Sequence, residues 1–317
     1  MLVSNRFFGS IVVVAFRKTK ILTRNSTIND VNCITRVIHI KLYCRVESFQ
    51  FLFHNEIIIK LKEQYQDAYT VEILADYIEE FQILMGDYIS ADEIIKRLKE
   101  NVILDFEYTE EPINGVLDGQ YDIANKKVII YKHEQSDPDY IKFVLFHELT
   151  HAITSKKLED GKDIMGFSFI EQSYGKGFNE AMTEWLSIRR NEMLNQKHDS
   201  GYDVIVEQIK VLAQIVGEDE LIKCYLNEPE SLKKLLEKNN IDFDRLDRLY
   251  QIILSCRIDI YRLANGKVLD KITNYNLYKE CQEINDIYSN AIGDIKTIDD
   301  FKKNTAYYVL IKNRHLI

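Results

Sequence analysis

The chain has 317 residues, 46% of them apolar, enough to bury a sizeable core and to form two domains. Its formal net charge of −9 argues against nucleic acid as a partner. The five cysteines (Cys33, Cys44, Cys224, Cys256, Cys281) are odd in number and contain no CxxC pair. They suit reduced thiols in the cytoplasm better than a disulfide framework or a thiolate metal site. No apolar run reaches the roughly 18 residues that an integral membrane span needs.

In chain order, residues 1–55 form a basic segment: the first fifty carry eight Lys/Arg against two Asp/Glu. Within it, Phe7–Phe16 comes after Arg6 like the apolar region of a signal peptide, but it runs into Arg17-Lys18-Thr19-Lys20 without a small-residue cleavage site. A poorly packed appendage is expected there, with export or membrane association left open. Helical spacing predicts helices over Glu56–Tyr77 and Ala91–Asn101. A hairpin is expected next, over Ile113–Tyr121 and Lys127–Lys132, turning at Ala124-Asn125-Lys126. Asp137-Pro138-Asp139 is a helix start signal, and Ile141, Val144, Leu145, Leu149, Ala152 and Ile153 continue it as an apolar stripe. A short hairpin is expected over Gly166–Tyr174. Another helix comes after it, with Phe178, Ala181, Met182, Trp185 and Leu186 on its apolar face. Past Asn195 the pattern is helical: Asp203–Val216, Glu218–Leu226, Asp242–Asn265, Asn276–Ala291 and Ile298–Lys312. Three regions are therefore expected: residues 1–55, 56–199 and an all-helical 200–317.

The chemistry lies on the helix after Pro138, in His147-Glu148-Leu149-Thr150-His151. Positions i and i+4 of a helix lie one above the other, with Cβ atoms about 5–6 Å apart. Two imidazoles so placed can each give one nitrogen to a single Zn²⁺ at about 2.0–2.1 Å. Glu148 flanks the same face and can take the proton of a water that the metal has made acidic. On that spacing the histidines lie off the centre of the apolar stripe, so one face of the helix is expected to pack and the other to present ligands.

A third ligand is needed. The metzincin pattern would put a glycine and a histidine where Thr154 and Lys157 stand, and the next histidine, His198, lies in a polar stretch. The downstream segment is instead Gly177-Phe178-Asn179-Glu180-Ala181-Met182-Thr183-Glu184-Trp185-Leu186. Glu180 and Glu184 share a helix face at i,i+4, a like-charge pair costing a few tenths of a kcal/mol unless a cation intervenes. Here the chain resembles the gluzincin metallopeptidases, in which HExxH precedes a second helix bearing Asn-Glu-x-x-x-Asp/Glu. The resemblance covers roughly residues 139–190. It implies a zincin-like α+β core with Glu180 as third zinc ligand. It also implies Asn179 and Glu184 as supporting groups, with Glu184 expected to hold the ring N–H of zinc-bound His147. It further implies an edge strand, here Lys127–Lys132, that pairs with an extended peptide substrate. Tyr174, just before the glutamate helix, is the candidate for steadying the oxyanion. The helical region 200–317 would close the far wall of the cleft. Two departures stand: twenty-eight residues separate His151 from Glu180, and the second acid is Glu184 rather than aspartate.

Two function classes compete on these residues. One is a zinc-dependent peptidase acting on a peptide or protein, with Glu148 as general base. The other is a catalytically silent relative serving as a regulatory or interaction protein. The retention of Glu148, which metal binding alone does not require, favours the enzyme.

Overall fold

The computed structural model describes residues 52–103, 106–109, 119–131, 138–170, 174–196, 202–256 and 271–292. The expected helix Ile298–Lys312, residues 113–118 of the first hairpin strand, Asp137, His198 and nearly all of the basic segment lie outside them. The chain divides into two units, Met1–Glu56 and Ile57–Ile317. Apart from the start of the first helix, every described element belongs to the second.

Residues 52–62 are helical (α1), and α2 spans Ala68–Met85. The single helix expected over Glu56–Tyr77 is thus two. The break is made by Asp67, whose carboxylate accepts from the backbone N–H of Thr70 at 2.7 Å and from its hydroxyl at 2.8 Å. That is an N-cap, which stabilises a new helix start by about 1 kcal/mol where helical spacing alone reads straight through. Helix α3, Ala91–Asn101, begins at Ser90 in the same way.

Strands β1 (Glu107–Thr109), β2 (Gly119–Asp122) and β3 (Lys127–Tyr131) form a mixed sheet in the order β1-β3-β2. β2 and β3 are the expected hairpin: the Asp122 carboxylate accepts from the N–H groups of Ala124 and Asn125, and Lys126 takes the left-handed conformation at φ 52°. β3 is central, paired parallel with β1 and antiparallel with β2. The edge-strand role expected for Lys127–Lys132 is therefore excluded over Lys127–Tyr131, whose backbone is committed on both sides. The edge on that side of the sheet is β2.

Helix α4, Pro138–Thr154, carries both histidines and runs through the middle of the unit. Every residue from Phe143 to Thr154 is buried, so it has no solvent face of the kind an amphipathic reading expects. It packs on α3, β2, β3 and the glutamate helix α5 (Lys176–Met193). Between α4 and α5 a second small sheet, β4 (Ser155–Lys157), β5 (Asp163–Met165) and β6 (Ser168–Phe169), makes an antiparallel meander. It ends on a bridge between Phe169 and Tyr174. Gly175 then takes φ 77°, and a Cβ there would overlap the Phe167 carbonyl, so this entry into α5 requires glycine.

From residue 202 onward each described element is helical. They are α6 (Asp203–Val216), α7 (Glu218–Asn227), a 3₁₀ turn at Pro229–Ser231, α8 (Leu232–Lys238), α9 (Phe243–Ser255) and α10 (Lys271–Ile292). Helices α6 and α9 pack on α5, while α7 packs on α4. Two polar ties lock this arrangement. Arg97 of α3 donates to the Leu226 carbonyl at the end of α7, at 2.7 Å. Arg190 of α5, 1% exposed, makes two bonds to Glu80 of α2 at 2.8 and 3.1 Å. The whole is an α+β arrangement rich in helix. No helix of the described residues is long and apolar enough to cross a membrane.

Candidate metal centre

Helices α4 and α5 bring His147, His151 and Glu180 together, with one ligand atom of each inside a 4.8 Å group. The two Nε2 atoms face each other at 3.1 Å. Glu180 Oε2 lies 3.4 Å from Nε2 of His147 and 3.6 Å from that of His151. These separations fit one ion. Donors held at about 2.0–2.1 Å from a metal, at these three separations, subtend about 100°, about 110° and about 120° at it. All three lie near the tetrahedral angle, so the three donors could share one ion.

The surroundings prepare both imidazoles. Nδ1 of His147 lies 2.8 Å from Oε2 of Glu184, which is 2% exposed, so it donates and Nε2 turns to the cluster. Burial opposes charge on His147, but Glu180 and Glu184 outweigh it and hold the imidazole well above its ordinary pKa. Burial likewise opposes ionisation of Glu180, and His151 and His147 reverse this, keeping its carboxyl well below the usual range. The two glutamates therefore do not simply repel each other across i,i+4. The ring of His147 stands between them, with Nε2 towards Glu180 and Nδ1 towards Glu184.

Behind His151, Nδ1 meets Asn179 Nδ2 at 3.1 Å and Thr183 Oγ1 at 3.3 Å. Both are wholly buried. So is Tyr225 of α7, whose hydroxyl lies 2.6 Å from Thr183 Oγ1. Glu148, also buried, points its Oε2 at the backbone N–H of Tyr121 in β2, 2.7 Å away. Burial raises its carboxyl pKa, against the lowering pull of His147, His151 and that N–H. Since the Tyr121 N–H points away from β3, the strand alternation turns the backbone groups of Gly119 and Tyr121 to the outer side of β2, beside Glu148, where no strand pairs among the described residues. A Cβ on Gly119 would stand 2.5 Å from Val144 Cγ1 and 3.0 Å from Glu148 Cγ.

Of the residues singled out in the sequence, His147, Glu148, His151, Asn179, Glu180 and Glu184 converge. The ring of Tyr174 stacks on Phe169 at 4.5 Å and meets Phe243 edge-on at 5.8 Å. Tyr202 lies beside the cluster, its ring 5.9 Å from that of His147. Sequence reasoning missed Tyr202, Thr183, Tyr225 and the Gly119–Tyr121 edge. Thr183 alone carried a signal, lying four residues after Asn179 on the same helix face.

Fold and site thus define an α+β protein with a buried His-His-Glu group able to hold a metal ion. No family model, no curated protein and no solved structure matches this chain.

Proposed function

We propose that this protein is a zinc-dependent metallopeptidase with a gluzincin-like arrangement of its site. The observation that carries the reading is the pair of Nε2 atoms 3.1 Å apart, closed on the third side by Glu180 Oε2. His147, His151 and Glu180 would hold the ion. Zinc in such a site polarises a carbonyl and lowers the pKa of a bound water to about 7.

The protein's own groups do the rest. Glu148 accepts the proton of the attacking water and delivers it to the leaving amine nitrogen. The outer edge of β2 offers the N–H and carbonyl of Gly119 and the carbonyl of Tyr121 to an extended peptide, which would add to the sheet as a strand, the Tyr121 N–H being held by Glu148. Gly119, having no side chain, lets β2 lie close against α4 and so sets that edge beside Glu148. Tyr202 is the hydroxyl we assign to the developing oxyanion, because its ring lies against His147. The helices from residue 202 onward would form the opposing wall of the cleft.

The test is metal content by mass spectrometry, together with hydrolysis of a peptide library by wild type and Glu148→Gln. Near one zinc per chain in both proteins, with cleavage by wild type alone, is the expected result. Equal turnover by the two would refute Glu148 as base. Zinc binding without any cleavage by wild type would transfer the assignment to a silent regulatory protein that keeps the centre.

A further inference from the structure

The hydrogen bonds behind His151 have one consistent direction. The Thr183 hydroxyl has a single proton, and the 2.8 Å bond to the Asn179 backbone carbonyl consumes it, because a carbonyl has none to give. Towards every other neighbour, Thr183 Oγ1 can only accept. In the 2.6 Å contact the donor is therefore Tyr225, and in the 3.3 Å contact the donor is His151 Nδ1. A neutral imidazole with its proton on Nδ1 has its lone pair on Nε2, the atom facing the cluster.

Asn179 agrees with this assignment in one orientation. Its Oδ1 is buried and unpartnered while Nδ2 meets Nδ1 at 3.1 Å, which sets two donors against each other. A half-turn of the amide, which leaves its shape unchanged, brings Oδ1 to the Nδ1 proton.

We infer that Thr183 and Tyr225 are positioning residues that hold His151 in its Nδ1–H tautomer, so that Nε2 is ready as a ligand before any metal arrives. This rests on His147, His151 and Glu180 being a metal centre and extends that centre to two residues on different helices, α5 and α7. Tyr225 commits the second lone-pair direction of Thr183 Oγ1 and is itself held from behind: Arg97 donates to the carbonyl of the next residue, Leu226, at 2.7 Å. The other tautomer would leave Nε2 protonated and unable to bind. Neither residue touches substrate, and their effect passes through the ring of His151.

The experiment uses the full-length protein with ¹⁵N-labelled histidine. In the metal-free state, long-range ¹H–¹⁵N spectra report the tautomer of His151. Chelator competition then gives the zinc Kd. Wild type is expected to show Nδ1–H. Thr183→Val, nearly isosteric, is expected to mix the tautomers and weaken zinc about 10–100-fold, the usual loss when a group orienting a ligand is removed. Thr183→Ser is expected to retain both properties. Tyr225→Phe tests the relay independently should the valine variant not fold, and a shift in its tautomer ratio is expected. An unchanged tautomer and Kd in Thr183→Val or Tyr225→Phe, with wild type binding zinc, would overturn this inference and leave the metal centre standing. A wild type that takes up no zinc would overturn both.

Discussion

Glu184 offers the most quantitative handle on the centre. It is 2% exposed and holds His147 Nδ1 at 2.8 Å without being one of the three donors, so Glu184→Ala removes orientation and leaves the ligand set intact. Losses of this kind weaken metal binding by about 10–100-fold. A ligand that binds only the folded state stabilises it by RT ln(1 + [L]/Kd), or about 2.7 kcal/mol at 100 times Kd. At that same zinc concentration the variant stands at about 10 or about 1 times its own Kd, so its gain falls to between about 1.4 and 0.4 kcal/mol. With roughly 2–4 °C of Tm per kcal/mol for a domain of this size, the zinc-induced shift drops from about 5–11 °C to about 1–6 °C. Thermal melts with zinc and with chelator measure both values. Glu184→Gln should recover part of the loss, since its amide oxygen still accepts from Nδ1. The metal-free Glu184→Ala protein is expected to melt below metal-free wild type, because a buried imidazole drawn towards charge loses one of its two carboxylates. If zinc shifts Glu184→Ala as far as wild type, His147 does not depend on Glu184 for its orientation and is not held as described.

Glu180→Ala removes one of three donors and should bring zinc content well below one per chain; full occupancy in that variant would place the third ligand elsewhere. Gly119→Ala puts a methyl into 2.5 Å contact with Val144 Cγ1, and overpacking of this kind costs about 1–3 kcal/mol in urea unfolding, with peptide hydrolysis reduced because Glu148 is pushed aside. Wild-type stability in that variant would show that the strand yields freely. Glu80→Ala leaves Arg190, 1% exposed, without its carboxylate and should cost about 3–5 kcal/mol by denaturant unfolding; a loss under about 1 kcal/mol would mean Asn191 and Gln196 suffice for the guanidinium. Tyr202→Phe is expected to lower kcat by about 100–1,000-fold, the usual effect of losing an oxyanion donor, whereas Tyr174→Phe should leave it within a few-fold. The reverse ranking would return the role to Tyr174.

With no matching protein, the candidate metal centre rests on its own chemistry. Two lone pairs at 3.1 Å are mutually repulsive unless a cation or a shared proton lies between them, and the groups behind each ring turn those lone pairs inward. Glu180 and Glu184 raise the pKa of His147 against the effect of burial, which favours a proton in that place when no metal is bound. An ion bound by the same three donors would take the place of that proton.

What the sequence by itself determined was the content of single helices. The pairing of His147 with His151 and the stacking of Glu180 over Glu184 come from 3.6 residues per turn, whatever the rest of the chain does. Helix ends marked by local chemistry were equally legible: α3 over Ala91–Asn101 and α6 from Asp203 to Val216, stopped by Gly217. The break at Asp67 escaped because a cap is a single residue's chemistry hidden within continuous helical spacing. Only the tertiary structure decided what meets across elements. It made β3 central and gave an edge to β2 among the described residues, since pairing order depends on the parallel partner β1, which has no turn to announce it. It set Tyr202 beside His147 and stacked Tyr174 on Phe169. It joined Tyr225 to Thr183 across forty-two positions of chain, a contact created by α7 packing on α4, with no periodicity to encode it. Local spacing supplied the candidate donors, while long-range packing oriented them, because a hydrogen bond between helices exists only once both helices are in place.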